Sequence, residues 1–191
     1  MKITLNNKIL DALDMKSIES KITTYHDYFA LPAGQEHYRL LRYLAKQING
    51  PIVEIGTHAA TSVVALSVDT THPIVTYDVV NVKEREFDDL TTVTFRLCEF
   101  SDDIEYRDFI LAAPMIFIDA PHDGAFEMYC YQWLKDNGYK GLTIWDDIHL
   151  NEPMRQFWSN IDLSKQDLTK YGHITGTGAI FFGDDVEFEL K

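Results

Sequence analysis

From residue 51 onward the chain alternates short apolar runs with longer, helix-compatible stretches. Pro51-Ile52-Val53-Glu54-Ile55, Ile74-Val75-Thr76-Tyr77-Asp78, Val93-Thr94-Phe95-Arg96-Leu97, Met115-Ile116-Phe117-Ile118-Asp119 and Leu142-Thr143-Ile144-Trp145-Asp146 are the runs. Runs this short and apolar on both faces predict strands of a parallel sheet with helices on either side. The stretches 101–112, 124–137 and 152–160 predict those helices, and the small residues of 59–66 predict another directly after the first strand. Upstream, 15–29 and 34–48 predict two helices. In the second, His37, Leu40, Leu41, Tyr43, Leu44 and Ile48 recur at roughly helical spacing, and Asn49-Gly50 supplies a stop. Leu168-Thr169-Lys170 and Ala179-Ile180-Phe181-Phe182 predict a closing hairpin-like pair around Gly172, Gly176 and Gly178. No repeat, low-complexity tract or linker interrupts the pattern. The expectation is one α/β domain over 1–191, a helical cap at 1–49 on a core at 50–191.

Composition narrows the partners. With 46% hydrophobic and 25% charged residues, the chain of 191 has an ordinary globular balance. The 17 basic against 30 acidic residues leave a net charge of -13, which repels phosphate backbones and argues against nucleic acid and anionic membranes as partners. Cys98 and Cys130 stand alone, with no CxxC, which suggests packing in a reducing compartment. The opening stretch MKITLNNKILDALD carries acids early and no long apolar run, so it does not read as a signal peptide. No stretch approaches the ~20 apolar residues of a membrane helix. The cytoplasm is the expected location.

The candidate chemistry lies where the strands end. Four of the five carry a carboxylate there: Glu54, Asp78, Asp119, and Asp146 with Asp147. In an open α/β sheet that edge is where ligands bind, and an acid placed there costs desolvation unless something pairs with it. A polar ligand, a cation, or both would explain the set. Glu54-Ile55-Gly56-Thr57-His58-Ala59-Ala60-Thr61-Ser62 is a strand–loop–helix junction in which Gly56 permits a tight turn. Only the first glycine of the dinucleotide fingerprint is present, which counts against a nicotinamide oxidoreductase. Asp78 stands at the next strand end, where an acid commonly accepts ribose hydroxyls.

Together Glu-Ile-Gly-Thr at 54–57, Asp78, Phe-Ile-Asp-Ala-Pro-His at 117–122 and Trp-Asp-Asp-Ile-His at 145–149 resemble the class I S-adenosylmethionine-dependent methyltransferases. The resemblance is to the small metal-dependent O-methyltransferases of the catechol and macrocin-type sugar kinds, and it covers roughly 50–183. It implies a Rossmann-like, seven-stranded, mostly parallel sheet in the order 3-2-1-4-5-7-6. It implies that Glu54 and Gly56 lie near the methionine end of S-adenosylmethionine, with Thr57, Ser62 and Asp119 among the cofactor positions. Asp78 would bind the ribose, and Glu99-Phe100-Ser101 would lie beside the adenine. The chain departs from the family at Ala60, where a second glycine is usual and where a methyl is expected to face the cofactor.

Oxygen ligands at adjacent strand ends suit a hard divalent cation such as Mg2+, and by resemblance Asp119, Asp146 and Asp147 are the metal positions. The alternative is that Asp119 and Asp146 are helix caps. His122, three residues beyond Asp119, is the leading candidate for a general base. His149 competes with it, and His173 is a third. Trp145 should be buried in its strand, whereas Phe157 and Trp158 could line a substrate pocket or a dimer contact. The expected activity is methyl transfer to a hydroxyl of a small molecule, a sugar or a phenol, with Asp119, His122 or His149 and a metal assisting. The alternatives are a metal-independent methyltransferase and a non-catalytic binding module of the same fold. The amino-terminal helices are expected to serve as a lid or a homodimer contact.

Overall fold

The computed structural model describes residues 1–22, 29–81 and 87–191. Its elements are β1 (Lys2–Leu5), α1 (Asn7–Asp11), α2 (Lys16–Glu19), α3 (Pro32–Gln47), β2 (Ile52–Ile55), α4 (Thr61–Ser67), β3 (Ile74–Asp78) and β4 (Val93–Leu97). After a single 3-10 turn at Phe100–Asp102 come α5 (Arg107–Ala112), β5 (Met115–Ile118), α6 (Ala125–Asp136), β6 (Leu142–Asp146), α7 (Glu152–Asn160), β7 (Lys165–Asp167), β8 (Thr177–Phe181) and β9 (Glu187–Leu190).

Strands β2 to β8 form one sheet in the order β4-β3-β2-β5-β6-β8-β7. Counted from β2, this is the order 3-2-1-4-5-7-6. Strand β8 runs antiparallel to both its neighbours, and the other pairs are parallel. Alternation along each strand divides the core. Ile52, Ile74, Met115, Phe117, Leu142 and Ile144 face one layer, with Leu40, Leu41 and Leu44 of α3 and Val63 and Val64 of α4. Val53, Ile55, Val75, Tyr77, Ile116, Ile118 and Trp145 face the other, with Cys130 and Leu134 of α6 and Met154 and Phe157 of α7. Both layers being filled explains the unbroken apolar runs in the sequence.

Four expectations need correction. The segment 1–49 is not purely helical: it opens with β1, which pairs in parallel with β9, from Lys2↔Glu187 to Leu5↔Leu190. Ile3, Leu5 and Phe188 are buried by this pairing. The predicted helix at 15–29 is represented by α2 alone in its first part, and 23–28 lie outside the described residues. The closing pair exists, but its first strand precedes 168–170. Lys165 pairs with Ile180, and the Leu168 amide then bonds Thr177 at 2.7 Å before the chain turns. Finally, Phe157 is core, its ring 4.8 Å from that of Trp145. Trp158 packs on Gly178, where an added Cβ would lie 2.6 Å from the indole.

Candidate functional site

The loops at the carboxyl edge of β2, β3 and β5 meet because Gly56 lacks a side chain. At φ +100°, a Cβ on Gly56 would lie 1.7 Å from the backbone oxygen of Asp119. The amides of Gly56 and Thr57 donate to the Tyr77 carbonyl at 2.9 and 3.0 Å. Asp78 accepts the amide of His58 on Oδ2 (2.8 Å) and that of Val80 on Oδ1 (3.0 Å). Its carboxylate therefore ties the β2–α4 loop to the end of β3, and it keeps lone pairs for a ligand's hydroxyls. Among the described residues, the non-glycine residues with left-handed backbone, His58, Ala60, His122 and Asp147, all lie on loops of this edge. Each costs on the order of 1–3 kcal/mol, which is tolerated where a site over-determines the backbone.

Ala60 does not crowd this edge. Its methyl is buried in the core layer with Val63 and Val64, and it lines neither of the cavities described next. The sequence led to a methyl facing the cofactor; the structure instead has Ala60 left-handed (φ 68°) and packed in that core layer.

A cavity of about 580 Å³ opens here, lined by Gly56, Asp78, Glu99, Phe100, Asp119, His122 and Phe126 among others. A second, of about 330 Å³, adjoins it through Gly56, His58 and Asp119 and adds Tyr38, Thr57 and Ser62. Seven of the predicted cofactor positions thus line the first or the second: Gly56, Thr57, Ser62, Asp78, Glu99, Phe100 and Asp119, with Gly56 and Asp119 shared. Ser101 lines neither, and its hydroxyl accepts from Tyr129 at 2.6 Å. The wall carrying Glu99 and Phe100 is braced by Arg96, whose guanidinium makes a two-pronged pair with Asp103 at 2.8 and 3.0 Å. Burial pushes Glu99 above the usual carboxylate range.

Glu54 lies beneath the cavities, fully buried. Its Oε2 accepts from the Thr76 hydroxyl, which in turn touches Thr57 Oγ1 at 2.6 Å. Its Oε1 has no partner. Burial pushes its pKa up to about 8 against the favourable influence of the nearby Ser62 and Thr76 hydroxyls, with repulsion from Asp119 and Asp78 adding to the rise.

Asp119, Asp146 and Asp147 come together through histidines. His122 Nε2 lies 3.3 Å from Asp119 Oδ1 and 3.4 Å from Asp147 Oδ2. His173 Nδ1 lies 3.0 Å from Asp147 Oδ1 and 3.5 Å from Asp146 Oδ1. His37 Nδ1 lies 3.6 Å from that same Asp146 oxygen. Burial alone would lower the pKa of both His122 and His173. The carboxylates outweigh it, lifting His122 to about 9 and His173 to about 10. Asp119 is pushed up by burial and by Asp146, with His122 and His37 offsetting part of the rise. Burial would raise Asp147 too, but His173 and Thr175 hold it down.

The helix-cap alternative for Asp119 and Asp146 is not what forms: Asn151 caps α7, and Gly124 precedes α6. His149 does not join the cluster as expected. Its imidazole is partly exposed and pairs with Asp167 of β7 at 2.7 Å. Sequence reading also missed two contributors. His37 was placed only as an inward-facing helical residue. Buried Glu127 accepts the amides of His122 and Gly124, both at 2.8 Å, and so holds the His122 loop. The signal for Glu127 was its place three residues after Gly124 at a helix start.

No protein-family model matches the sequence, and no curated protein sequence matches it. Solved structures do match. The O-methyltransferase TomG from Streptomyces achromogenes, involved in tomaymycin synthesis and solved with S-adenosylmethionine, superposes with a TM-score of 0.61. It shares 18% identity, over 93% of this chain and 95% of that one. An O-methyltransferase from Bacillus cereus in complex with S-adenosylhomocysteine gives 0.60 at 18% identity, over 92% and 96%. An S-adenosylhomocysteine-bound methyltransferase from Podospora anserina gives 0.62 at 16% identity, over 89% and 87%. The chain has the Rossmann-like fold of these methyltransferases.

Proposed function

We propose that this protein transfers the methyl group of S-adenosylmethionine to a hydroxyl of a small molecule. One observation carries the reading. Within the fold shared with S-adenosylmethionine- and S-adenosylhomocysteine-bound enzymes, Gly56 and Asp78 line a cavity whose other wall is Asp119 and His122. A donor held along Gly56, Asp78 and Phe100 would direct its sulfonium toward the acid–histidine cluster. The sulfonium is already activated, so the protein's task is in-line alignment and a deprotonated acceptor.

His122 is the group proposed to hold the acceptor's proton. Its carboxylate neighbours lift its pKa to about 9, so the neutral imidazole that can take a proton becomes populated, and transfer should speed up, as the pH rises toward that value; the Glu127 bonds fix its backbone. Asp119 orients it and borders both cavities. The donor set is compatible with a divalent cation: Asp146 Oδ1 is buried without a hydrogen-bond partner, and Asp119 and Asp147 flank His122 nearby. Asp119, Asp146 and Asp147 would hold it. A bound cation would lower the acceptor hydroxyl's pKa. Metal-independent transfer is the second reading, favoured by His122 and His173 already pairing with these acids.

Carboxylates and imidazoles beside the acceptor position suit a molecule with several hydroxyls, so a sugar is favoured over a phenol. The net charge of -13 favours either over nucleic acid. No described helix is long and apolar enough to cross a membrane. The free thiols Cys98 and Cys130 support the cytoplasm as the proposed location.

The test is transfer from labelled S-adenosylmethionine to a panel of sugars and phenols, with and without chelator. Asp78→Ala should weaken S-adenosylhomocysteine binding by about 10–100-fold, the worth of a charged hydrogen bond. Asp119→Ala should lower kcat by at least about 100-fold with that binding largely kept. Equal behaviour of the two variants would mean the site is wrongly divided. Full activity in chelator would remove the metal.

A further inference from the structure

We propose that His37, Asp146 and His173 form a binding site for a divalent transition-metal ion of the zinc type, in preference to Mg2+. The three come from separate parts of the chain: the first turns of α3, the end of β6 and the loop before β8. Their ligand atoms all lie within 4.8 Å of one another. His37 and Asp146 are 5% and 6% exposed, so each donor is withdrawn from water.

His173 Nδ1 is hydrogen-bonded to Asp147 Oδ1 at 3.0 Å and to the Thr175 hydroxyl at 2.7 Å, but the contacts to Asp146 are of another kind. Asp146 Oδ1 is buried and makes no hydrogen bond. The imidazole nitrogens of His37 and His173 stand 3.6 and 3.5 Å from it, beyond the ~2.7–3.2 Å of an N–H···O bond. Ligands held ~2.0–2.1 Å from a tetrahedral ion are themselves ~3.3–3.4 Å apart, close to both separations. Asp147 Oδ1 borders the group as a hydrogen-bond partner of His173 Nδ1 at 3.0 Å and is itself steadied by the Thr175 hydroxyl. The rings of Tyr38 and Phe117 pack on His37 at 5.0 and 5.8 Å, fixing its orientation. Two imidazoles in a set of three suit zinc and its first-row neighbours, with the fourth position left to water or a ligand, whereas Mg2+ selects oxygen and retains water.

The inference rests on the methyltransferase reading only for its place in the reaction, through the shared Asp146; the binding itself is independent. The experiment is titration of chelator-stripped protein with Co2+, followed by absorption, with Zn2+ and Mg2+ as competitors and S-adenosylhomocysteine binding measured on the same samples. One Co2+ per chain should bind, displaced by Zn2+ but not by Mg2+. His37→Gln and His173→Gln should each weaken it by more than about 100-fold, since even outer-shell changes cost ~10–100-fold. His149→Gln should leave it unchanged. If either cluster variant fails to fold, proton NMR of Co2+-loaded wild type replaces it, and two paramagnetically shifted imidazoles are expected. Unchanged Co2+ binding in both variants, effective Mg2+ competition, or fewer than two shifted imidazoles would overturn the proposal. Co2+ failing to bind where S-adenosylhomocysteine binds would refute the metal site alone. The converse would refute the methyltransferase reading alone.

Discussion

Replacing Glu54 with glutamine should make the protein more stable, and increasingly so as the pH rises. Glu54 is fully buried, and its pKa is lifted from an ordinary 4.5 to about 8. Below the lower value the group is protonated in both folded and unfolded chains and costs nothing. Between the two values the unfolded chain has released the proton and the folded chain has not. Stability therefore falls there by up to ~1.4 kcal/mol per pH unit. Above the upper value both forms are ionised and the cost is constant. The accumulated cost is about 3 kcal/mol at pH 7 and about 5 kcal/mol beyond pH 8. Glutamine keeps an oxygen for the Thr76 hydroxyl and has no proton to lose. Urea unfolding of both proteins at about pH 5, 7 and 8.5 would isolate the effect, because every other titration is common to the pair and cancels in the difference. The advantage of Glu54→Gln should be small at the lowest pH and grow by a few kcal/mol. A difference independent of pH would mean that Glu54 is ionised and solvated in the folded protein, and the account of its burial would be wrong.

Two further substitutions probe the frame of the site. Gly56→Ala should abolish S-adenosylhomocysteine binding and cost more than about 3 kcal/mol, because its Cβ would overlap the Asp119 carbonyl in a conformation alanine resists; near-wild-type calorimetric binding would contradict the close approach of β2 and β5. Asp103→Asn should cost about 2 kcal/mol, the worth of charge-assisted bonds to Arg96. Burial works against the Asp103 carboxylate, but Arg96 and Tyr77 hold its pKa below the ordinary value. Its stabilising effect is thus present above the unfolded pKa and lost as pH falls through the folded one. Chemical denaturation at acid pH should show wild type and variant converging, and a constant gap would count against the pair.

Much of this architecture was legible because strands buried on both faces leave unbroken apolar runs, and β2, β3, β5 and β6 do so. The strand-end acids were legible for a related reason: nothing in a core explains Asp119 or Asp146. Strands β1 and β9 were not, since four residues of alternation beside short helices give too little period to read. His37 shows a subtler limit. Helical spacing says that it points inward, but whether inward means core or ligand site depends on which end of the sheet α3 crosses. The choice between His122 and His149 was equally hidden. Both follow a strand, and only the folded loops show that His122 meets Asp119 and Asp147 whereas His149 turns to Asp167. Ala60 was misread for the same cause: the pattern shows a missing glycine, and only the turn shows where the methyl goes.

The most direct test of the central claim is calorimetric titration of S-adenosylhomocysteine into the protein, with and without divalent cation. The proposed site predicts micromolar binding at one site per chain, lost or strongly weakened in Asp78→Ala. Absence of binding under both conditions would leave the fold in place and contradict the assignment of the cavity beside Gly56 and Asp78 to the methyl donor.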